Sequence, residues 1–489
     1  MSLPPDLAKL RDEMRGHAVD YGLDFIEVIF ELLDWNMINM VAAYGGFPNR
    51  YPHWRFGMEY ERLAKSYAYG LSKIYEMVIN NDPCYAYLLH SNHLVDQKMV
   101  MAHVYGHSDF FKNNVFFKNT NRKMMDEMGN HRTRVVRLMD SHGVDKIESF
   151  IDSCLSLENL IDSHFLLADR LSKESPSIAP EATRLKVSRP YMEKYINPPE
   201  FLESERQKVA EEVERNHHIP SHPEKDVMGF LLKHAPLENW EADLLSIVRD
   251  EAYYFAPQGQ TKVINEGWAS FWHSKTMTEK ALKGEEFIEY ADHHSGTVAI
   301  HQPGQLNPYK IGLELLRDIE DRWNKGRFGK EYNECTDMRA KKEWNKKLGL
   351  GREKIFEVRK LYNDVMFIDE FLTPEFCAEH KFFVYAFNVS ADNYEIVTRE
   401  FEKVKKQLLF QLTNMGHPII HVVDTNYRNR GELMLKHTHE GVDLKIDWAK
   451  EVLKALHKIW KHPVHIETLL DGVPKILSFD GQEHQESRP

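Results

Sequence analysis

Residues 94–111, LVDQKMVMAHVYGHSDFF, predict a helix that carries two histidines, His103 and His107, four residues apart. Side chains at that spacing lie on one face of a helix, about 6 Å apart along its axis, so two imidazoles can bind one metal ion. Zinc peptidases use the same spacing in H-E-x-x-H, but the position of their glutamate base is occupied here by Val104. The stretch indicates either a metal site without that base or two hydrogen-bonded or surface histidines.

The composition indicates a globular protein of two or three domains. The chain has 489 residues, of which 42% are hydrophobic, and its net charge of -12 argues against a general nucleic-acid-binding protein. Its four cysteines form no C-x-x-C pair, which suggests reduced thiols. The N-terminus resembles no secretory signal, and no apolar run has membrane-spanning length. We therefore expect a cytoplasmic protein without a membrane span.

The first three quarters of the chain predict a mainly α-helical domain, residues 1–375. Apolar residues at helical spacing predict single helices over 24–47 and 59–81. A stretch rich in proline and charge, residues 174–226, predicts a long excursion with one short helix at about 202–216.

Helices are predicted again from 237 to 255, with a break at APQGQ (256–260), and from 262 onwards. Another is predicted through PYKIGLELLRDIEDRW (308–323), and the Lys-rich stretch 338–362 predicts a solvated helix.

The last part of the chain predicts a small α+β domain, residues 376–480, followed by a flexible tail, 481–489. KFFVYAFNV, HPIIHVVDTNY, GELMLKHTHE and VPKILSF are typical of strands, and the segments 393–416 and 447–460 are typical of helices. This β-α-β-β-α-β order suggests a ferredoxin-like domain. The predicted fold class is therefore α+β overall, with a large helical N-terminal domain.

A second group of chemically active residues lies in INEGWASFWH (264–273). Glu266 is the kind of residue that a His-His-Glu zinc site needs as its third ligand. His273 lies seven residues later on the same face, about 10.5 Å away along the axis, which is too far for both to bind one ion from a straight helix. We therefore expect metal ligands at His103, His107 and Glu266, and for His273 either a catalytic or substrate-contacting role or a place behind the ligands; a site with two metal ions stays the other possibility. The alternative is a structural Glu266 among core aromatic residues.

Three further residues are candidates for acid–base or oxyanion chemistry. Glu251, in VRDEAYYF, is a candidate base to replace the glutamate missing at position 104, or an ordinary structural carboxylate. His301 and Tyr309 lie in a stretch interrupted by glycine and proline, where their side chains are candidates to stabilise an oxyanion. The simpler interpretation of that stretch is a turn that packs against the helices.

Several long motifs together resemble the stage V sporulation protein R (SpoVR) family over about residues 10–475. The motifs are NDPCYAYLLHSNHLVDQKMVMAHVYGHSDFFKNN, PEKDVMGFLLKHAPLENWEADLLSIVRDEAYYFAPQ, INEGWASFWH, HHSG and NPYKIGLELLRDIEDRW. The resemblance implies a bacterial cytoplasmic protein involved in spore cortex formation, or in a stress response in bacteria that form no endospores. It also implies a PrkA-type serine kinase and a YeaH/YhbH-type protein as partners. It does not imply a settled biochemical activity.

A looser likeness is to gluzincin metallopeptidases, which carry H-E-x-G-H on one helix and a glutamate on the next. His103, Gly106, His107 and Glu266 match that pattern, and Val104 departs from it. Two functions are therefore expected as alternatives. One is a metal-dependent hydrolase, with a divalent ion such as zinc, acting on a peptide or a peptidoglycan-related substrate. The other is a non-catalytic regulator or scaffold that acts with the kinase and the YeaH/YhbH-type protein.

Overall fold

A computed structural model describes residues 3–68, 76–164, 219–299, 304, 306–388 and 392–488. The chain forms two compact units, and each unit is built from two segments. The first unit contains Met1–Arg137 and Tyr254–Gly416, and the second contains Leu138–Tyr253 and His417–Pro489. Residues 376–416, which the sequence assigned to the C-terminal domain, therefore belong to the first unit. The short helix predicted at about 202–216 lies outside the described residues.

The first unit is mainly helical. Its helices are α1 (Pro5–Asp20), α2 (Trp35–Ala43), α3 (Trp54–Ala68), α4 (Leu94–Asn113), α9 (Lys262–Thr276), α10 (Phe287–Val298), α11 (Pro308–Lys325), α12 (Gly329–Asn333), α13 (Met338–Glu343), α14 (Gly351–Leu361), α15 (Asp364–Phe371), α16 (Pro374–Glu379) and α17 (Phe401–Leu412). Two helices contribute residues to both units, α5 (Met124–His142) and α8 (Asn239–Gln260). Among the described helices, none is both long enough and apolar enough to cross a membrane.

Helix α4 lies at the centre of the first unit. Every residue from Val95 to Phe111 is buried, including seven polar ones: Asp96, Gln97, Lys98, His103, His107, Ser108 and Asp109. Buried polar side chains are stable only when they find partners. Asp109, for example, accepts hydrogen bonds from Nε1 of Trp268 (2.8 Å) and from the backbone N–H of Asp24 (2.7 Å). The polar residues of α4 therefore constrain which elements pack around it.

The predicted helices over 24–47 and 59–81 are wrong in part. Three strands, β1 (Val28–Leu33), β2 (Glu76–Ile79) and β3 (Cys84–Leu89), form a sheet in the order β1-β3-β2, with β1 parallel and β2 antiparallel to β3. A six-residue apolar run fits a strand as well as a helix, so periodicity alone does not distinguish them. Asp34 then starts α2, because its side chain accepts the N–H of Met37.

Two other predicted irregular stretches are helical. Helix α8 continues through Pro257 to Gln260, although a break was predicted at 256–260. The carbonyl oxygen of Pro257 accepts the hydroxyl of Thr261, and the helix ends there. The glycine- and proline-interrupted stretch that carries His301 and Tyr309, for which a turn was the simpler interpretation, begins in α10, which contains His293 and His294.

The second unit contains helices α6 (Val144–Leu155), α7 (Val227–His234) and α18 (Ile446–Trp460), and a five-stranded sheet. The strands are β6 (Ile419–Tyr427), β7 (Glu432–Thr438), β8 (Val464–Leu470), β9 (Val473–Phe479) and β10 (His484–Ser487), in the order β10-β9-β8-β7-β6. Strands β7 and β8 are parallel and are connected through α18, and the other pairs are antiparallel. The predicted fold class, a large helical part with a small α+β C-terminal part, is confirmed.

The strand order departs from the ferredoxin-like arrangement. The first predicted strand forms β4 (Val384–Asn388), which pairs with β5 (Asn393–Thr398) in a separate two-stranded sheet. The segment 393–416, predicted as one helix, thus begins with a strand before α17. Strand β8 was not predicted, and the predicted flexible tail contains β10, which pairs with β9. Strands β4 and β5, and strands β9 and β10, pair with their neighbours in the sequence, whereas β8 pairs both with its neighbour β9 and with β7 across α18.

Candidate metal centre

His103, His107 and Glu266 converge in the interior of the first unit. Oε2 of Glu266, on α9, lies 3.5 Å from Nε2 of His103 and 3.4 Å from Nε2 of His107, both on α4. One ligand atom from each residue lies within 4.8 Å of the others. The two histidines are buried, whereas the Glu266 side chain is 18% exposed. Oε2 of Glu266 and Nε2 of His103 are themselves buried, so the exposed part of Glu266 is not the atom that faces the histidines.

The spacing of these three atoms fits a metal ion better than direct hydrogen bonds. Ligands 2.0–2.1 Å from a tetrahedral zinc ion lie about 3.3–3.4 Å from one another. The two separations at Glu266, 3.4 and 3.5 Å, are close to that value and longer than ordinary hydrogen bonds. Two imidazoles and one carboxylate also form a ligand set typical of catalytic zinc, which leaves a fourth position open.

The other ring nitrogen of each histidine faces a polar partner. Nδ1 of His107 lies 3.0 Å from Oδ1 of Asn265, and Nδ1 of His103 lies 2.8 Å from Nδ1 of His273. An amide oxygen only accepts, so Nδ1 of His107 carries an N–H, and in the neutral form of this ring Nε2 presents a lone pair to the cluster. Such outer partners fix the tautomer and orientation of metal-binding histidines.

The charges in the cluster suit a cation. Burial raises the pKa of Glu266. The charge of His107 and His103 in their protonated forms, and their hydrogen bonds to the carboxylate, lower this pKa by more, so that it lies well below the usual range. Burial, together with His103 and His294, holds the pKa of His273 well below its ordinary value. Glu266 is therefore ionised and His273 is neutral at neutral pH.

Close helix packing brings the ligands together. A Cβ added at Gly106 would lie 2.7 Å from Cα of Ala269, so the backbones of α4 and α9 are in contact there. Gly106 is the residue before His107, and Ala269 lies one turn after Glu266. The start of α9 is fixed by Asp364, which accepts the N–H groups of Val263 (2.8 Å) and Ile264 (2.9 Å). Glu266 follows within the next turn, and its position is therefore set by two tertiary contacts.

The remaining predicted site residues are not all brought together. His273 contacts His103 rather than the cluster itself, and Tyr309 stacks on His103 with ring centroids 6.2 Å apart. Glu251 is buried on α8 in the second unit and is not a member of the His103, His107 and Glu266 group. His301 lies outside the described residues. The side chain of Val104 is a fully buried hydrocarbon without a proton acceptor, so position 104 supplies no base.

Sequence reasoning missed two residues that support the cluster, Asn265 and Asp364, and it did not predict the contact of His294 with His273. Asn265 immediately precedes Glu266 in the motif INEGWASFWH, but its residue type gave no signal for its contact with His107. Asp364 is about one hundred residues away from the helix that it caps. His294 lies in the HHSG motif, and its ring Nδ1 lies 3.2 Å from Nε2 of His273.

Comparison with known proteins identifies the family. A family model described as "SpoVR like protein" matches residues 3–417, and one described as "SpoVR-like C-terminal domain" matches residues 418–471. The chain is 32% identical over 457 residues to "Uncharacterized protein YcgB" of Escherichia coli (strain K12), with 88% of this chain and 85% of that protein covered. No solved structure gives a significant match. The chain therefore belongs to the SpoVR family.

Proposed function

We propose that this protein is a metal-dependent hydrolase that binds one divalent ion, zinc in the first instance, through His103, His107 and Glu266. The observation that supports it is the convergence of two Nε2 atoms and one carboxylate oxygen, with Oε2 of Glu266 3.4 and 3.5 Å from the two nitrogens. We further propose a peptide or peptidoglycan-related substrate and a cytoplasmic role in spore cortex formation or a stress response, as the family resemblance implies.

The chain supplies the surroundings that such chemistry needs. A divalent ion in the site would polarise a scissile carbonyl and lower the pKa of a bound water. Tyr309, whose ring stacks on that of His103, stays the predicted donor of a hydroxyl to an oxyanion, and His301 stays a predicted second donor. With Val104 in place of the usual glutamate, the base comes from elsewhere, and Glu251 stays the predicted candidate.

One observation favours the alternative function, a regulator or scaffold. Val104 is apolar and fully buried at the position where gluzincins carry their base. A cluster without a base at that position still binds an ion and still fixes α4 against α9. In this alternative the metal is structural, and the protein acts by binding the PrkA-type kinase and the YeaH/YhbH-type protein.

Elemental analysis of the purified full-length protein tests the site. We expect about one zinc ion per chain in the wild type and none in the His103→Ala/His107→Ala variant. A matched control is His437→Ala/His439→Ala, which removes two histidines from the second unit and should keep the ion. Folded wild-type protein that binds no divalent ion, even after incubation with zinc, would contradict both the hydrolase and the structural-metal alternative.

Single substitutions separate hydrolase from scaffold in the zinc-loaded protein. Tyr309→Phe and Glu251→Gln should each lower the hydrolysis of short peptides or peptidoglycan fragments, with a loss of about 10²–10³-fold for a lost oxyanion donor. Zinc content and folding should not change. Hydrolysis that both variants leave unaltered would assign the chemistry to other groups. No hydrolysis by the wild type, with partner binding that depends on zinc, would favour the scaffold.

Asn265 should control the affinity of the site. Asn265→Ala removes the acceptor for Nδ1 of His107, and we expect zinc to bind about 10–100-fold more weakly, the usual effect of losing an outer partner. Asn265→Asp retains an acceptor and should keep most of the affinity. Competition with a chromophoric chelator measures both. An affinity unchanged in Asn265→Ala would show that this hydrogen bond does not orient the ligand.

A further inference from the structure

Helix α10 is attached to the core largely by polar contacts. Of its residues only Tyr290 is buried, and Ile288 is 76% exposed. Two adjacent histidines face inward instead. His293 contacts the fully buried carboxylate of Asp96 on α4 through Nδ1, and His294 contacts His273 on α9. The position of α10 therefore depends on a few hydrogen bonds rather than on a broad apolar interface.

One of these contacts continues to the proposed metal ligand. Nδ1 of His294 lies 3.2 Å from Nε2 of His273, and Nδ1 of His273 lies 2.8 Å from Nδ1 of His103. The three imidazoles thus form a chain from α10, where His294 is half-buried, to the ring whose Nε2 faces Glu266.

The chain has a defined direction once His103 binds an ion through Nε2. The proton of His103 must then be on Nδ1, which donates to Nδ1 of His273. His273 in turn carries its proton on Nε2 and donates to Nδ1 of His294. All hydrogen bonds of the chain therefore point away from the ion.

We propose that His273 and His294 are positioning residues that couple the docking of α10 to the occupation of the metal site. This inference rests on the proposed function, because it needs an ion on His103. A bound cation withdraws electron density from His103 and makes its N–H a stronger donor. Successive hydrogen bonds polarise one another, so the effect extends to the bond between His273 and His294.

Coupling of this kind is reciprocal. If zinc strengthens the docking of α10 by a given factor, docked α10 strengthens zinc binding by the same factor. The structure of α10 makes the effect measurable, because so little apolar surface holds this helix in place. A change of a few fold in docking should appear as a change in its amide exchange.

Hydrogen exchange of the full-length protein, with and without Zn²⁺, tests the inference. We expect zinc to slow exchange in residues 287–298 by about tenfold in the wild type, and His294→Ala to abolish this difference. By reciprocity, His294→Ala should also weaken zinc binding about tenfold. Ser295→Ala, an exposed position on the same helix, is the matched control and should leave both quantities unchanged.

A purely structural role is distinguished by a second variant. His293→Ala removes the contact with Asp96 but leaves the imidazole chain, so exchange in α10 should be faster while the difference made by zinc persists. If zinc binds but leaves exchange in α10 unchanged, or if His294→Ala keeps full affinity, the coupling is wrong and the proposed function stands. If zinc binds nowhere in the wild type, both are wrong.

Discussion

Replacing Gly267 by alanine should strongly destabilise the first unit. Gly267 on α9 faces Gly312 on α11, and an added Cβ would lie 2.4 Å from the carbonyl carbon of Gly312 and 2.5 Å from its Cα. These are backbone atoms, which cannot move aside without displacing a whole helix. Overpacking of a core costs about 1–3 kcal/mol and sometimes more. Alanine gains about 1 kcal/mol over glycine as a helix former, which offsets only part of it.

We expect Gly267→Ala to lower the free energy of unfolding by about 2 kcal/mol, and also to lower zinc affinity, because Glu266 is the preceding residue. Urea unfolding followed by circular dichroism measures the first effect. The matched control is Gly57→Ala on α3, where an added Cβ meets nothing within 4 Å. That change should be neutral or slightly stabilising. Equal stability of the two variants would mean that α9 and α11 separate at little cost.

The sequence predicted the long helices well for a physical reason. Helices α4, α9 and α11 each have 15 or more residues, so helical periodicity is sampled over several turns. Start signals help as well, since Asn307 caps α11 directly before Pro308. By contrast, β1 is short and pairs with β3, which follows only after α2 and α3, and β8 pairs with β7 across α18 as well as with β9 in a hairpin. Their apolar residues fit the spacing of a strand as well as that of a helix, and pairing with other strands in the folded protein decides between the two structures.

The residues of the candidate site could be predicted from the sequence, but the contacts that hold them in place could not. The spacing of His103 and His107 places both on one face of a helix, and that inference uses helix geometry alone. Glu266 was named by chemical type, as the third ligand of a His-His-Glu set. The contacts of Asn265 and His294, however, depend on how α9 and α10 pack on α4, which no local pattern encodes.

His273 illustrates the limit most clearly. It was predicted to act as an acid, a base or a substrate contact because it lies on the same face of the helix as Glu266. The 2.8 Å contact between the Nδ1 atoms of His273 and His103 gives it a position behind the proposed ligand, which is one of the alternatives that the helical spacing left open. Helical spacing identified the correct face, and the approach of a second helix determined what the side chain contacts.

Removing the metal should be the other large perturbation. An ion that binds the folded chain and not the unfolded one stabilises it by about 4 kcal/mol when its concentration is 1,000 times its dissociation constant. We expect chelation with EDTA to lower the midpoint of urea unfolding of the wild type, and added Zn²⁺ to restore it. His103, His107 and Glu266 come from two helices that meet at Gly106 and Ala269, so an ion bound by them would also act as a clamp between α4 and α9.

The variant without ligands separates this effect from a general action of the chelator. His103→Ala/His107→Ala should unfold at the same urea concentration with EDTA and with Zn²⁺, whereas His437→Ala/His439→Ala should respond as the wild type does. Wild-type protein that is equally stable in both conditions would contradict a clamp at this position. Glu266→Gln keeps both histidines and removes the carboxylate. This variant should give an intermediate response, because two imidazoles alone bind the ion more weakly than two imidazoles and a carboxylate together.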